Sequence, residues 1–302
     1  MDRFSNILSA TVACIVAIGC SSAAPSAPST EELPCSAIGI DAGVQHVAGY
    51  DGSAAGPLRI LLYTYSTGFR HVSIPDGINA IRALASDNGF TVDVKGTEAD
   101  GAGSYCENRP VAADAAYFTR ENLARYAAVV FLSTTTPTDP GNPILDDAGK
   151  AAFEAYLRAG GGFVGVHAAA DAEYQWPFYN ELLGATFLAH GPPATSLVRI
   201  EDETHPATSG LPNPWSRFDE WYDFTPNPRP TAHVLMNLDE ATYPNNPAPM
   251  GDHPIAWCKT VGAGRSFYSG LGHAGSAFAD PLVRLHLLGG ILYAAGAIPA
   301  VC

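Results

Sequence analysis

Between residues 58 and 167 the chain alternates near-continuous apolar runs with segments of helical spacing, and nothing else in it restricts the fold as much. Leu58-Arg-Ile-Leu-Leu-Tyr-Thr-Tyr65, Ala128-Val-Val-Phe-Leu132 and Phe163-Val-Gly-Val-His167 are apolar at nearly every position. A strand with one wet face would alternate, so these runs fit strands covered on both faces, as parallel strands are. Thr91 to Lys95 reads as a further short strand. Ile74 to Asp87 carries Ile78, Ile81, Leu84 and Ala85 at helical spacing, and Asn88-Gly89 closes it. Asp146 or Asp147 caps a second helix that runs to Arg158 and stops at Gly160-Gly-Gly162. This alternation predicts an α/β fold, a mainly parallel open sheet flanked by helices. After His190 the rhythm changes. Thr195–Ile200, Arg217–Phe224 and Thr231–Leu238 read as strands, Pro254–Lys259 and Arg265–Ser269 as a hairpin, and Pro281 as the start of a closing helix. These predict an added antiparallel portion of the same domain, which is set at residues 58–298.

The N-terminal residues speak to compartment. Ile7 to Ile18 is an apolar run too short to span a bilayer, followed at once by small residues, so residues 1–19 read as a signal peptide. The run ends Val16-Ala-Ile-Gly-Cys20, which resembles the lipobox of bacterial lipoproteins and makes Cys20 the expected lipidated terminus. Residues 21–34 lack large apolar side chains almost entirely, and residues 20–57 are assigned to a flexible linker. The expected location is the bacterial cell envelope, with the lipid as the membrane contact. Ser21 rather than Asp after Cys20 favours the outer membrane in a two-membrane bacterium, and outer membrane or periplasm is the expected site. Composition is 47% hydrophobic, enough for a sizeable core. A net charge of −14 argues against a nucleic-acid partner.

Without Cys14 and Cys20, four cysteines remain: Cys35, Cys106, Cys258 and Cys302. An even number in an exported domain suggests two disulfides, with three pairings open. Cys35 and Cys302 flank the domain, and domain termini often lie close together, so Cys35–Cys302 with Cys106–Cys258 is the expected set.

Ligands in open α/β sheets gather at the carboxyl ends of strands. His71 follows the first strand, His167 ends the Phe163 strand, and His273 follows the hairpin in Ser269-Gly-Leu-Gly-His273. Each has Gly or Ala nearby, which lets backbone and ligand approach closely. One such histidine is commonly structural; three at equivalent positions point to a site. His190, Asp171 and Glu220 add an imidazole and two carboxylates. The set suits Zn²⁺ or a similar divalent ion, or general acid–base work. Asp171, four residues from His167, is expected to orient it. His205, His233, His253 and His286 read as structural. Tyr63, Tyr65, Trp176 and Tyr222 can stack on sugars, though packing is the commoner role for aromatics in such a core. No nucleotide cofactor is expected, because Gly160-Gly-Gly162 precedes a strand instead of following one, and no Gly-x-Ser-x-Gly elbow is present.

Six segments together resemble the ThuA-like (trehalose-utilisation) family. They are Phe69-Arg-His71, Gly160-Gly-Gly-Phe-Val-Gly-Val-His-Ala-Ala-Ala-Asp171, His190-Gly191, His205-Pro206, Asp219-Glu-Trp-Tyr222, and His253-Pro-Ile-Ala-Trp257 continuing to Gly272-His273. They occur in the family's order over roughly residues 58–298. The resemblance implies a flavodoxin-like sheet similar to the class I glutamine amidotransferase fold, with a tight strand-to-helix elbow. In amidotransferases that elbow carries a nucleophilic Cys; here it carries His167, so Cys-dependent glutaminase chemistry is not expected. The family's association with disaccharide use implies a carbohydrate substrate, such as a disaccharide, keto-sugar or glycoside, and a hydrolase, lyase or isomerase using His71, His167, Asp171, Glu220 and His273. A metal would draw on His71, His167, His190, Glu220 and His273. The alternative is a non-catalytic carbohydrate-binding surface lipoprotein.

Overall fold

A computed structural model describes residues 45–50, 58–99, 105–106 and 108–302. Cys20, Cys35, the leader and most of the predicted linker lie outside the described residues. In chain order the strands are β1 (Arg59–Tyr63), β2 (Thr91–Lys95), β3 (Thr97–Glu98), β4 (Arg109–Pro110), β5 (Ala128–Leu132), β6 (Gly162–Val166), β7 (Thr186–His190), β8 (Ala194–Ile200), β9 (Trp215–Asp219), β10 (Tyr222–Thr225), β11 (His233–Leu238), β12 (Pro254–Val261) and β13 (Gly264–Ser269). The helices are α1 (Ile74–Asn88), α2 (Arg120–Leu123), α3 (Asp147–Arg158), α4 (Pro177–Leu183) and α5 (Pro281–Ala294).

Nine strands form one sheet in the order β2-β1-β5-β6-β13-β12-β11-β8-β9. The first five pair in parallel. They run in the flavodoxin-like order 2-1-3-4-5, with the crevice for ligands at the carboxyl ends of the strands. β12, β11, β8 and β9 extend this sheet with antiparallel pairing. The fold is the flavodoxin-like, amidotransferase-like α/β sheet expected, with its antiparallel addition. Every residue of β5 and β6 is buried, as their unbroken apolar sequence requires.

The caps follow the sequence signals. Asp146 accepts the Gly149 N–H at 2.7 Å to start α3, Asp280 accepts the Leu282 N–H at 2.7 Å to start α5, and Gly89 ends α1 in the left-handed conformation. α5 presses closely on its neighbours: a Cβ at Gly289 would lie 2.1 Å from the Pro206 carbonyl, and one at Gly290 2.2 Å from the Phe267 ring. No helix among the described residues is long and apolar enough to cross a membrane.

Three expectations change. The segment Arg217–Phe224 is not one strand: β9 stops at Asp219, and β10 joins β7 in a separate two-stranded ribbon. Part of the predicted linker is packed on the domain. Val47 is buried, and Asn88 donates to the Gln45 carbonyl at 2.9 Å while its Oδ1 meets His46 Nδ1 at 3.1 Å. The disulfide pairing also differs, because Cys258 bonds Cys302. Cys106 is disulfide-bonded too. Neither Cys35–Cys302 nor Cys106–Cys258 therefore stands: reasoning from the proximity of termini missed that β12 brings Cys258 beside Cys302.

Candidate functional site

The carboxyl edge of the parallel strands turns their sequence ends into one cluster. β1 leads through a loop to His71, β6 leads directly into His167, and β13 leads through Gly270-Leu-Gly272 to His273. Glu220 enters from the break between β9 and β10. One ligand atom from each of His71, His167, Glu220 and His273 lies within 4.8 Å of all the others.

His167 sits at the elbow with φ of 48°, a left-handed backbone that non-glycine residues rarely adopt and that is held only where the surroundings fix it. The surroundings do so. Its Nδ1 lies 3.1 Å from the Gly270 carbonyl, and its own carbonyl accepts the Tyr268 hydroxyl at 2.8 Å. A carbonyl accepts only, so Nδ1 carries the proton and Nε2 presents its lone pair to the cluster. The Tyr222 ring packs over the imidazole at 4.4 Å between centroids.

His71 stands edge-on to His167 at 4.9 Å and to His273 at 5.5 Å, with the exposed Phe69 ring against it at 4.9 Å. Burial, then the neighbouring imidazoles, push its pKa down to about 2, so it is neutral at ordinary pH. Glu220 Oε2 lies 3.1 Å from His273 Nδ1 and 3.7 Å from His167 Nε2. Burial alone would raise the Glu220 pKa, but the adjacent His167 and His273 imidazoles overcome it and hold the carboxyl well below its usual range. The reverse holds for His273. Burial lowers its pKa, and the Glu220 carboxylate beside it outweighs burial and raises it.

Three ring nitrogens of the cluster residues, His71 Nδ1, His167 Nε2 and His273 Nδ1, are buried without a hydrogen bond of normal geometry. Buried polar atoms left in this way ask for an explanation. Three imidazole nitrogens and a carboxylate oxygen are a donor set suited to zinc and similar ions. Ligands of a tetrahedral zinc stand about 3.3 Å apart given bonds of about 2.0–2.1 Å. The Glu220 separations of 3.1 and 3.7 Å bracket that spacing. The residues fit such an ion.

The remaining candidates are placed differently. His190 lies outside the group of four, with a side chain 43% exposed and Nδ1 3.2 Å from Glu220 Oε1. Its Nδ1 also meets the Gly191 carbonyl at 2.9 Å, which leaves Nε2 turned from both acceptors. Asp171 is not hydrogen-bonded to His167. It accepts the Tyr174 hydroxyl, and burial pushes its pKa up to about 6. The group that orients His167 is the Gly270 carbonyl, a contact invisible to a search for carboxylates near histidines in sequence. Among the aromatics, Tyr222 is part of the site, stacked between His167 and His190. Tyr63 and Trp176 are buried in packing, with the Tyr63 hydroxyl on the Ile144 carbonyl and Trp176 stacked on Tyr179. Arg70, beside His71, serves the loop by donating to the Thr64 and Asn108 carbonyls.

The ThuA family, described as trehalose utilisation, matches residues 59–294. No curated protein matches the chain significantly. Among solved structures, a ThuA-like protein from Bacteroides uniformis is 26% identical, with a TM-score of 0.62 over 80% of this chain and 93% of its own. A second ThuA-like protein, from Parabacteroides merdae, is 20% identical with a TM-score of 0.57 over 80% of this chain and 91% of its own, a likeness of fold. The family match spans both the parallel strands that deliver the imidazoles and the antiparallel strands that deliver Glu220, and the chain belongs to the ThuA family.

Proposed function

We propose that the domain is a carbohydrate-processing enzyme in which His71, His167, Glu220 and His273 hold a divalent cation, zinc or a similar ion. The observation that carries this reading is the convergence of three buried imidazole nitrogens without hydrogen bonds on one ionised carboxylate. The family's description as trehalose utilisation supports a sugar as the substrate. Bound there, the ion would supply Lewis-acid polarisation of a sugar carbonyl or hydroxyl oxygen.

The chain's own groups have separable tasks. Gly270 fixes the His167 tautomer, so the ring needs no reorganisation when a ligand arrives. Glu220 balances charge among the imidazoles through one oxygen and holds His190 through the other. His190, exposed at the rim with Nε2 free of both acceptors, is placed to move a proton to or from a sugar oxygen. The reaction class is that of a hydrolase, lyase or isomerase acting on a disaccharide, keto-sugar or glycoside, without a thiolate nucleophile. Export and attachment through lipidated Cys20 place this activity in the cell envelope.

Metal analysis of the purified chain, with turnover assays on trehalose and its keto derivatives before and after chelation, tests the reading. Stoichiometric metal and chelator-sensitive turnover are expected. A metal-bearing protein that binds these sugars without turning them over would move the reading to a carbohydrate-binding lipoprotein. Mass spectrometry of the mature N-terminus tests the anchor: an unmodified terminus near Ala24 would remove it.

A further inference from the structure

The turn Gly270–His273 alternates two glycines with buried Leu271 and with His273, and all four cluster segments reach it. His167 Nδ1 donates to the Gly270 carbonyl. Ser73, two residues after His71, donates its hydroxyl to the Gly272 carbonyl at 3.0 Å. His273 is the turn's last residue. The fourth segment arrives through Asp219, whose side chain is fully buried at the end of β9. Its Oδ1 accepts the N–H of Glu220 at 3.0 Å and that of His273 at 3.0 Å, and its Oδ2 accepts the N–H of Gly272 at 2.9 Å. Gly272 itself has φ of 122°, a conformation open to glycine and costly for other residues.

Buried Leu271 anchors the turn in the core, but its flanking residues Gly270 and Gly272 carry no side chain, and the N–H groups of Gly272 and His273 are fixed by these bonds. Charge-assisted bonds from backbone N–H to carboxylate are about twice as strong as neutral ones. One carboxylate therefore sets the spacing between the segment that carries Glu220 and the segment that carries His273. We propose that Asp219 is a positioning residue that builds the cluster, by clamping the Glu220 and His273 backbones together without touching the ligand itself.

The prediction for cation affinity rests on the cation reading above; the prediction for backbone exchange does not. Asp219→Asn keeps side-chain volume but offers one oxygen, so its amide nitrogen meets the Gly272 N–H donor to donor. In the full chain treated with chelator and titrated with Zn²⁺, Asp219→Asn is expected to weaken Zn²⁺ binding 10- to 100-fold, the usual loss for a residue supporting metal ligands. Amide hydrogen exchange at Gly272 and His273 is expected to accelerate at least tenfold. Asp146→Ala, which removes the α3 cap far along the chain from the cluster residues, is expected to lower stability and change neither reading. A folded Asp219→Asn protein with unchanged Zn²⁺ affinity and unchanged exchange overturns the proposal. If the wild-type chain takes up no Zn²⁺, the cation reading falls and exchange alone decides for or against the clamp. If Asp219→Asn does not fold, exchange in the wild type decides: Gly272 and His273 amides as slow as those of β13 support the clamp, and amides as fast as an open loop's overturn it.

Discussion

The parallel half of the sheet contributes three imidazoles to the cluster, whereas the antiparallel half contributes the carboxylate that they surround. The imidazoles follow from topology. β1, β6 and β13 are parallel, so their carboxyl ends share an edge and whatever follows each strand is carried there. Glu220 has no such guarantee. It arrives because β9 stops, the chain turns through Glu220 and Trp221, and β10 leaves for another partner. A centre divided in this way is as firm as the seam between its halves, and the seam can be attacked at several points.

The largest effect of removing any single link is expected from the disulfide. Cys258 lies in β12 and Cys302 follows α5, so the bond joins the antiparallel half to the helix packed on the parallel strands. It closes a separation of 44 residues, which the chain-entropy model rates at about 4 kcal/mol. Cys258→Ser with Cys302→Ser should lower denaturant stability by that order; a loss below about 1 kcal/mol would mean that packing alone holds the seam.

Acid comes next. His286 on α5 contacts the Ala207 carbonyl and the Ser269 hydroxyl, and His205 packs on Tyr293. Burial pushes the pKa of each down to about 4. A lowered folded pKa means that the unfolded chain binds more protons below about pH 6.5, so stability falls as pH drops from there. Each contributes a loss of about 3 kcal/mol by pH 4 at 1.4 kcal/mol per unit. His71, held down to about 2, adds to the same limb. Chemical denaturation of metal-free protein between pH 7 and 4 checks this, and a flat profile would contradict the neutral burial of these rings.

Within the cluster, His167→Ala should weaken Zn²⁺ binding on the order of 100-fold, about 2.7 kcal/mol, because a ligand is lost from the parallel half. Glu220→Gln, in the other half, should cost on the order of tenfold, about 1.4 kcal/mol. It should also lower the His273 pKa, since the Glu220 charge is what raises it. Equal losses would erase the distinction between imidazole framework and balancing charge. Calorimetric titration and imidazole NMR measure both.

The same division decides what could be read from sequence. The unbroken apolar runs of β1, β5 and β6 declared buried parallel strands, and from these the positions of His71 and His167 followed by rule. His273 was readable because a short glycine turn leaves β13. The break after Asp219 was not, since the aromatics Phe218, Trp221, Tyr222 and Phe224 read as one strand and only pairing with β7 separates its end. Asp171 misled because sequence proximity to His167 suggested a bond that the elbow geometry gives to the Gly270 carbonyl. Cysteine pairing failed for a related reason: which strand passes under Cys302 is a tertiary fact.

The elbow occupied by an imidazole has a consequence for inhibition. Every cysteine among the described residues is disulfide-bonded, so the cluster depends on none of them as a free thiol. Iodoacetamide and mild peroxide, which silence amidotransferase-type centres by capturing a thiolate, find no thiolate at the elbow that carries His167. Among the imidazoles of the site, acylating reagents have exposed His190 as their first target, while His71 and His167 are shielded by burial. Graded treatment would strip the rim before it reaches the framework.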